Sequence, residues 1–109
     1  GKAVLTGTPI RAELFAGDRE DGLRLCGFEP SGKPVLMVTG GSQGAQSVNE
    51  AIRRHLDELL EDFRIVHLCG TGKYDASLEN RPGYKQFEYV KDDLKHLFAA
   101  ADILVFVPQ

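Results

Sequence analysis

Gly40-Gly41-Ser42-Gln43-Gly44 stands between a short apolar run, Val35-Leu36-Met37-Val38, and an apolar repeat at helical spacing. Glycines let a backbone turn sharply and approach a ligand without a side-chain clash. Where such a loop opens a helix, the first amides face an anion, and Ser42 adds a hydroxyl donor. Phosphate or diphosphate is the natural guest. A plain strand-to-helix turn uses the same glycines and is the competing explanation. The loop is not a dinucleotide fingerprint, because Gly40-Gly41 followed by Gly44 does not fit G-x-G-x-x-G. Nor is Gly70-Thr71-Gly72-Lys73 a Walker loop: Tyr74 replaces its Ser/Thr and His67 its first glycine. Kinase-like ATP chemistry is therefore disfavoured.

Three other places carry groups able to meet a ligand. Arg11, after the Gly7-Thr8-Pro9-Ile10 turn, offers a guanidinium fork to a phosphate, or is simply a solvated arginine. Tyr89 and Val90, at the end of an alternating stretch, can give a base an aromatic edge, apolar surface or a backbone amide; core packing explains them equally well. His67 to Lys73 form a polar segment after another strand. There His67 lacks a carboxylate neighbour in sequence and reads as structural, and Cys69 as a small core residue. Asp92 and Asp93 are adjacent and fit a helix cap better than an acid-base couple. No catalytic acid or base stands out, and Cys26 and Cys69 form no cluster with ligand spacing for a metal.

The elements that must position these groups follow from apolar spacing. Val35 to Val38 and Ile103 to Val107 are continuous apolar runs, the pattern of strands covered on both faces, and Phe63 to Cys69 reads as another strand. Tyr84 to Val90 alternates and reads as a further strand; Lys2 to Thr6 is a short strand or a linker. Val48, Ile52, Leu56, Leu59 and Leu60 mark one helix, with Ser47 and Glu50 as a capping box. Leu94, Leu97, Phe98 and Ala101 mark another, capped by Asp92 or Asp93. Arg11 to Phe15 suits one helical turn and Lys73 to Leu78 a short helix. Gly17 to Pro34, poor in apolar anchors, reads as a surface connection with a short ordered piece. The alternation predicts an α/β fold: a Rossmann-like open, mainly parallel sheet with flanking helices.

At 109 residues, 42% hydrophobic and 27% charged, the chain is the size of one globular domain. Its formal net charge of -3 does not favour nucleic acid as a partner. No apolar run approaches the roughly 20 residues of a membrane span. Two cysteines without a pairing pattern suit a reducing, cytoplasmic setting.

Thr6-Gly7-Thr8-Pro9-Ile10-Arg11, Gly40 to Ala45, His67 to Lys73, Phe87-Glu88-Tyr89-Val90 and Ala100-Ala101-Asp102-Ile103, in this order, resemble the second domain of the MurG-like UDP-N-acetylglucosamine transferases. The resemblance runs over essentially the whole chain. It implies a glycosyltransferase of type B, with two Rossmann-like domains, inversion at the sugar and no catalytic metal or other cofactor. UDP-N-acetylglucosamine would be the donor substrate and a lipid-linked muramoyl-pentapeptide the acceptor, in peptidoglycan synthesis. Arg11 would contact the diphosphate. Gly41, Ser42, Gln43 and Gly44 would hold a phosphate, and Tyr89 and Val90 would line the uracil pocket. Lys91 makes the segment before Asp92-Asp93 one residue longer than in some relatives, and Thr8 stands where asparagine is common.

On this resemblance residues 1–109 are expected to form an incomplete donor-nucleotide-binding domain, cut short at the C-terminus. The same resemblance raises the expectation that the acceptor domain is absent and that the acceptor is reached only through that domain or a partner chain. Such a chain alone is expected to be inactive, and full-length relatives to sit on the cytoplasmic face of the cell membrane. A noncatalytic nucleotide-sugar-binding or assembly module, or a subunit of a split transferase, is the alternative. The uncovered final strand raises an expectation of self-association.

Overall fold

The computed structural model describes residues 3–5, 16–39 and 46–106, with 3–5 and 106 as backbone only. Its strands are β1 (Ala3–Leu5), β2 (Val35–Thr39), β3 (Arg64–Leu68), β4 (Tyr84–Phe87) and β5 (Ile103–Phe106). Its helices are α1 (Arg19–Cys26), α2 (Gln46–Arg54), α3 (Leu56–Asp62) and α4 (Leu94–Ala100), with a 3-10 turn at Ala76–Leu78. The strands form one sheet in the order β1-β5-β2-β3-β4, and every pair is parallel. The expected α/β class and open parallel sheet are present.

Period-two alternation divides the core between the two faces of this sheet. Val35 and Met37 of β2, Val66 of β3 and Leu104 of β5 pack with Leu23 and Cys26 of α1 and Leu97 and Phe98 of α4. On the other face Ile65 and Tyr84 pack with Leu56 of α3, with Ile52, Leu59 and Leu60 against them. In central β2 Val35, Leu36, Met37 and Val38 are all buried, so both its faces are covered, as its continuous apolar run requires.

Several local expectations need correction. Residues 17–34 contain a full helix, α1, bounded by polar signals that a search for apolar spacing passes over. Asp18 caps it, accepting from the Asp21 amide at 3.1 Å, and Gly27 ends it in the left-handed conformation at φ 71°. The Asp18→Ala variant is expected to lose about 1 kcal/mol of stability in urea denaturation. An unchanged midpoint would deny the cap its role.

The single helix expected through Leu60 is divided at His55, whose φ of -102° and ψ of 16° leave the helical range, into α2 and α3. His55 joins the two pieces: its N–H donates to Ala51 O and its carbonyl accepts from the Leu59 N–H. Ile52, Leu56, Leu59 and Leu60 stay on one apolar face, so their spacing gives no sign of it. Ser47 lies inside α2 rather than at its cap, and the Glu50 carboxylate accepts from the Gln46 side-chain Nε2 at 3.3 Å. Asp93 occupies the cap position of α4, but its side chain makes no cap bond; its carbonyl accepts from the His96 and Leu97 amides.

The third core strand stops at Phe87, so Tyr89 and Val90 lie in the loop beyond it. Its last ladder bond runs from the Cys69 amide to Phe87 O at 3.0 Å. The helical turn expected at Arg11 to Phe15 lies outside the described residues.

Candidate functional site

A parallel sheet collects ligands at the carboxyl ends of its strands, above all where the strand order reverses. Here β3 and β4 extend to one side of β2 while β5 lies on the other, so the reversal falls between β2 and β5. Thr39 ends β2, in register with Leu68 of β3 on one side and Phe106 of β5 on the other; Leu68 in turn pairs with Phe87. These four residues form a row along the carboxyl edge. The segment Gly40 to Gly44 follows Thr39 directly in sequence.

Over this edge opens a cavity of about 360 Å³, lined by Thr39, Leu68, Glu88, Tyr89, Val90, Lys91 and Leu94. Its volume lies at the small end of the range for small-molecule sites. Tyr89 is 67% exposed, so it is not a core residue. Val90 is half-buried against the main core cluster, which fixes the loop while leaving one surface to the cavity. The Glu88 carboxylate accepts the Gly72 N–H at 3.2 Å and ties this loop to the one after β3.

The structure thus brings Tyr89 and Val90 together beside the residue from which the glycine segment departs. Arg11, Gly41, Ser42, Gln43 and Gly44 lie outside the described residues. Spacing in the sequence does not mark Thr39, Leu68, Glu88, Lys91 or Leu94 as site residues; strand register and the loop between β4 and α4 bring them together.

A polar network lies on the α2 side of β3 and β4. His67, fully buried, joins the Tyr84 hydroxyl at 2.7 Å through Nδ1 and Asn49 Oδ1 at 2.8 Å through Nε2. The Asn49 amide nitrogen donates to Cys69 O at 2.8 Å, which leaves its oxygen to accept from His67 Nε2–H. Nδ1 then accepts from the Tyr84 hydroxyl. Burial, reinforced by the positive charge of Arg53, pushes the His67 pKa down to about 4. The ring is a neutral bridge, consistent with a structural role. Arg53 Nη2 donates to Lys73 O and to Gln86 Oε1, both at 2.7 Å. Asn49 has a signal in the sequence: it is a polar residue three before Ile52 and seven before Leu56, on the apolar stripe.

Neither cysteine is poised for nucleophilic attack. Burial pushes the Cys26 thiol up to about 12 and also raises that of Cys69. Among the described residues no group of three or more His, Cys, Asp and Glu could hold a metal ion. Asp102, at the opposite end of the sheet, accepts from the Val35 amide at 2.9 Å and pairs with Arg19 at 3.4 Å. It joins α1 to the starts of β2 and β5 and stands far along the strands from the cavity.

Comparison with known proteins gives a consistent picture. The family model described as the glycosyltransferase family 28 C-terminal domain matches residues 35–105. Three of the most similar curated proteins share one name, UDP-N-acetylglucosamine--N-acetylmuramyl-(pentapeptide) pyrophosphoryl-undecaprenol N-acetylglucosamine transferase. That of Lachnospira eligens is 54% identical over 105 residues, covering 96% of this chain and 29% of its own length. That of Lachnoclostridium phytofermentans is 56% identical, and that of Clostridium tetani 49%, each over 104 residues, 95% of this chain and 29% of the relative. The chain therefore spans about 29% of the length of these relatives. No solved structure matches.

Proposed function

Since the chain belongs to the glycosyltransferase family 28 C-terminal domain family, we propose that it is the donor-binding part of an inverting hexosyltransferase. In this reading the enzyme moves N-acetylglucosamine from UDP-N-acetylglucosamine to undecaprenyl-diphosphate-muramoyl-pentapeptide, in peptidoglycan synthesis. The observation that carries it is the cavity over the carboxyl ends of β2 and β3, which Tyr89 and Val90 line together with Thr39.

Uracil occupies that cavity, against Tyr89 and the backbone of Val90. The diphosphate extends toward Gly41, Ser42, Gln43 and Gly44, and Arg11 pairs with it. An acceptor hydroxyl attacks the anomeric carbon from the side opposite the departing UDP, so the C–O bond to the sugar forms as the bond to diphosphate breaks. Negative charge gathers on the leaving diphosphate. Arg11 and the loop donors stabilise it most where it develops, which is the useful place for catalysis. The acceptor and the base for its proton come from a different domain or chain, which also aligns the nucleophile and excludes water. No helix among the described residues is long and apolar enough to cross a membrane.

Calorimetric titration tests the reading. UDP and UDP-N-acetylglucosamine are expected to bind, and ADP to bind at least about tenfold more weakly. Tyr89→Ala should weaken UDP by about five- to tenfold, the low end of what stacking of a base on an aromatic ring contributes. Equal affinity for ADP and UDP would remove the uracil assignment, and UDP binding unaltered in the Tyr89 variant would remove Tyr89 from the site.

A further inference from the structure

We propose that Asn49 and Arg53 are positioning residues for the diphosphate end of this site, an inference that rests on the donor-binding reading above. Helix α2 follows the glycine segment in the chain, so the placement of its first turn fixes the point to which that segment must lead. Apolar packing does little to fix that placement. Of the nine residues of α2 only Asn49 is buried, at 3% exposure, and Ile52 is a half-buried contributor to the second core cluster.

Directional bonds hold the helix instead. Asn49 and Arg53, one turn apart on its inner side, reach the two ends of the segment after β3: Asn49 bonds Cys69 O at 2.8 Å and Arg53 bonds Lys73 O at 2.7 Å. Each has a second anchor in the sheet. Asn49 meets His67 of β3 at 2.8 Å, and Arg53 meets Gln86 of β4 at 2.7 Å. Gln86 is itself fixed, accepting from the Asp75 amide at 3.0 Å and donating to Asp75 O at 2.9 Å. A slide of α2 by a fraction of a turn would break these bonds together and leave buried polar groups unpaired, the costly outcome. Apolar contacts alone would tolerate such a slide. Anion recognition by backbone amides does not, because displacement by about 1 Å is enough to degrade it.

This arrangement separates two effects that a general loss of stability would combine. Uridine fills only the cavity at Tyr89 and Val90; UDP needs the phosphate end as well. Titrations of the chain with each, followed through the Tyr89 amide signal, should show Asn49→Ala binding UDP about tenfold more weakly. Its uridine affinity should change by less than about twofold. Arg53→Lys should show the same contrast at smaller size, because one ammonium cannot span both the Lys73 and Gln86 acceptors. The Val66 and Leu104 amide signals report whether each variant is folded, and Arg53→Lys decides the matter should Asn49→Ala unfold. Equal losses for uridine and UDP, or no loss for either, in a folded variant would overturn the inference. Failure of the unaltered chain to bind UDP would instead overturn the donor-site reading beneath it.

Discussion

Replacing Gly22 by alanine is expected to lower the free energy of unfolding by about 3 kcal/mol or more, although alanine is the better helix former by roughly 1 kcal/mol. Gly22 faces His96 and Ala100 of α4. A β-carbon there would overlap the His96 carbonyl oxygen and stand 2.8 Å from the Ala100 β-carbon. Backbone cannot move aside as a flexible side chain can, so α1 must shift. With it would move Leu23 and Cys26, which fill the main core, and Arg19, whose guanidinium donates to Ala100 O at 2.8 Å. Gly27 is the control. Its φ of 71° makes a side chain strained, yet nothing lies within 4 Å of the added carbon. Gly27→Ala should therefore cost only about 1 kcal/mol. Urea denaturation of both variants decides the point. A Gly22→Ala protein as stable as the parent would mean that helix propensity outweighs the close approach.

The second large effect is a loss of stability in mild acid. His67 is neutral in the native state, with its pKa down at about 4, against an ordinary value of 6.5. Between these pH values the unfolded chain takes up a proton that the folded chain refuses, so stability falls as pH falls through this window. Above the ordinary value the contribution is complete. By the acid end the loss amounts to about 3 kcal/mol. The groups around the ring explain its resistance to charging. Arg53 opposes a second positive charge, and the phenol of Tyr84, itself raised by burial, offers no anion. The contacts at the two ring nitrogens are the Tyr84 hydroxyl and the uncharged Asn49 amide. The His67 imidazole signals should stay in their neutral form down to about pH 4, while unfolding free energy declines from about pH 6.5. A native-state titration near the ordinary histidine value would contradict this.

The sheet was readable from the chain because its strands advertise burial directly. Val35 to Val38 and Ile103 to Leu104 are continuous apolar runs, and such runs point to strands with helices over both faces. Helix α1 was harder to see. It packs through a bare glycine backbone and two buried side chains, Leu23 and Cys26, and its boundaries rest on Asp18 and Gly27. Apolar periodicity registers none of that. The break at His55 was invisible for a different reason, since it leaves the apolar stripe intact.

The candidate site divides in the same way. Tyr89 and Val90 could be singled out as residue types at the end of an alternating stretch. Their neighbours Thr39, Leu68 and Leu94 are ordinary residues that acquire a role only when parallel register and the β4-to-α4 loop bring them together. Asn49 sits between these cases. A polar residue on an apolar stripe asks for a partner, but the chain alone does not say that the partner is His67. Family resemblance supplied the nature of the guest, which neither loop geometry nor composition specifies.

The central claim is that the carboxyl edge of β2, β3 and β4 receives a uridine diphosphate. Backbone amide NMR of the 109-residue chain during titration with UDP tests it most directly. The expected result is a saturable set of shifts at Leu68, Tyr89, Val90 and Lys91 together with Gly41, Ser42 and Gly44, while α1 and the α1-facing side of α4 stay unchanged. A titration that leaves all of those signals in place, or that moves only residues of α1 and α4, would contradict the account.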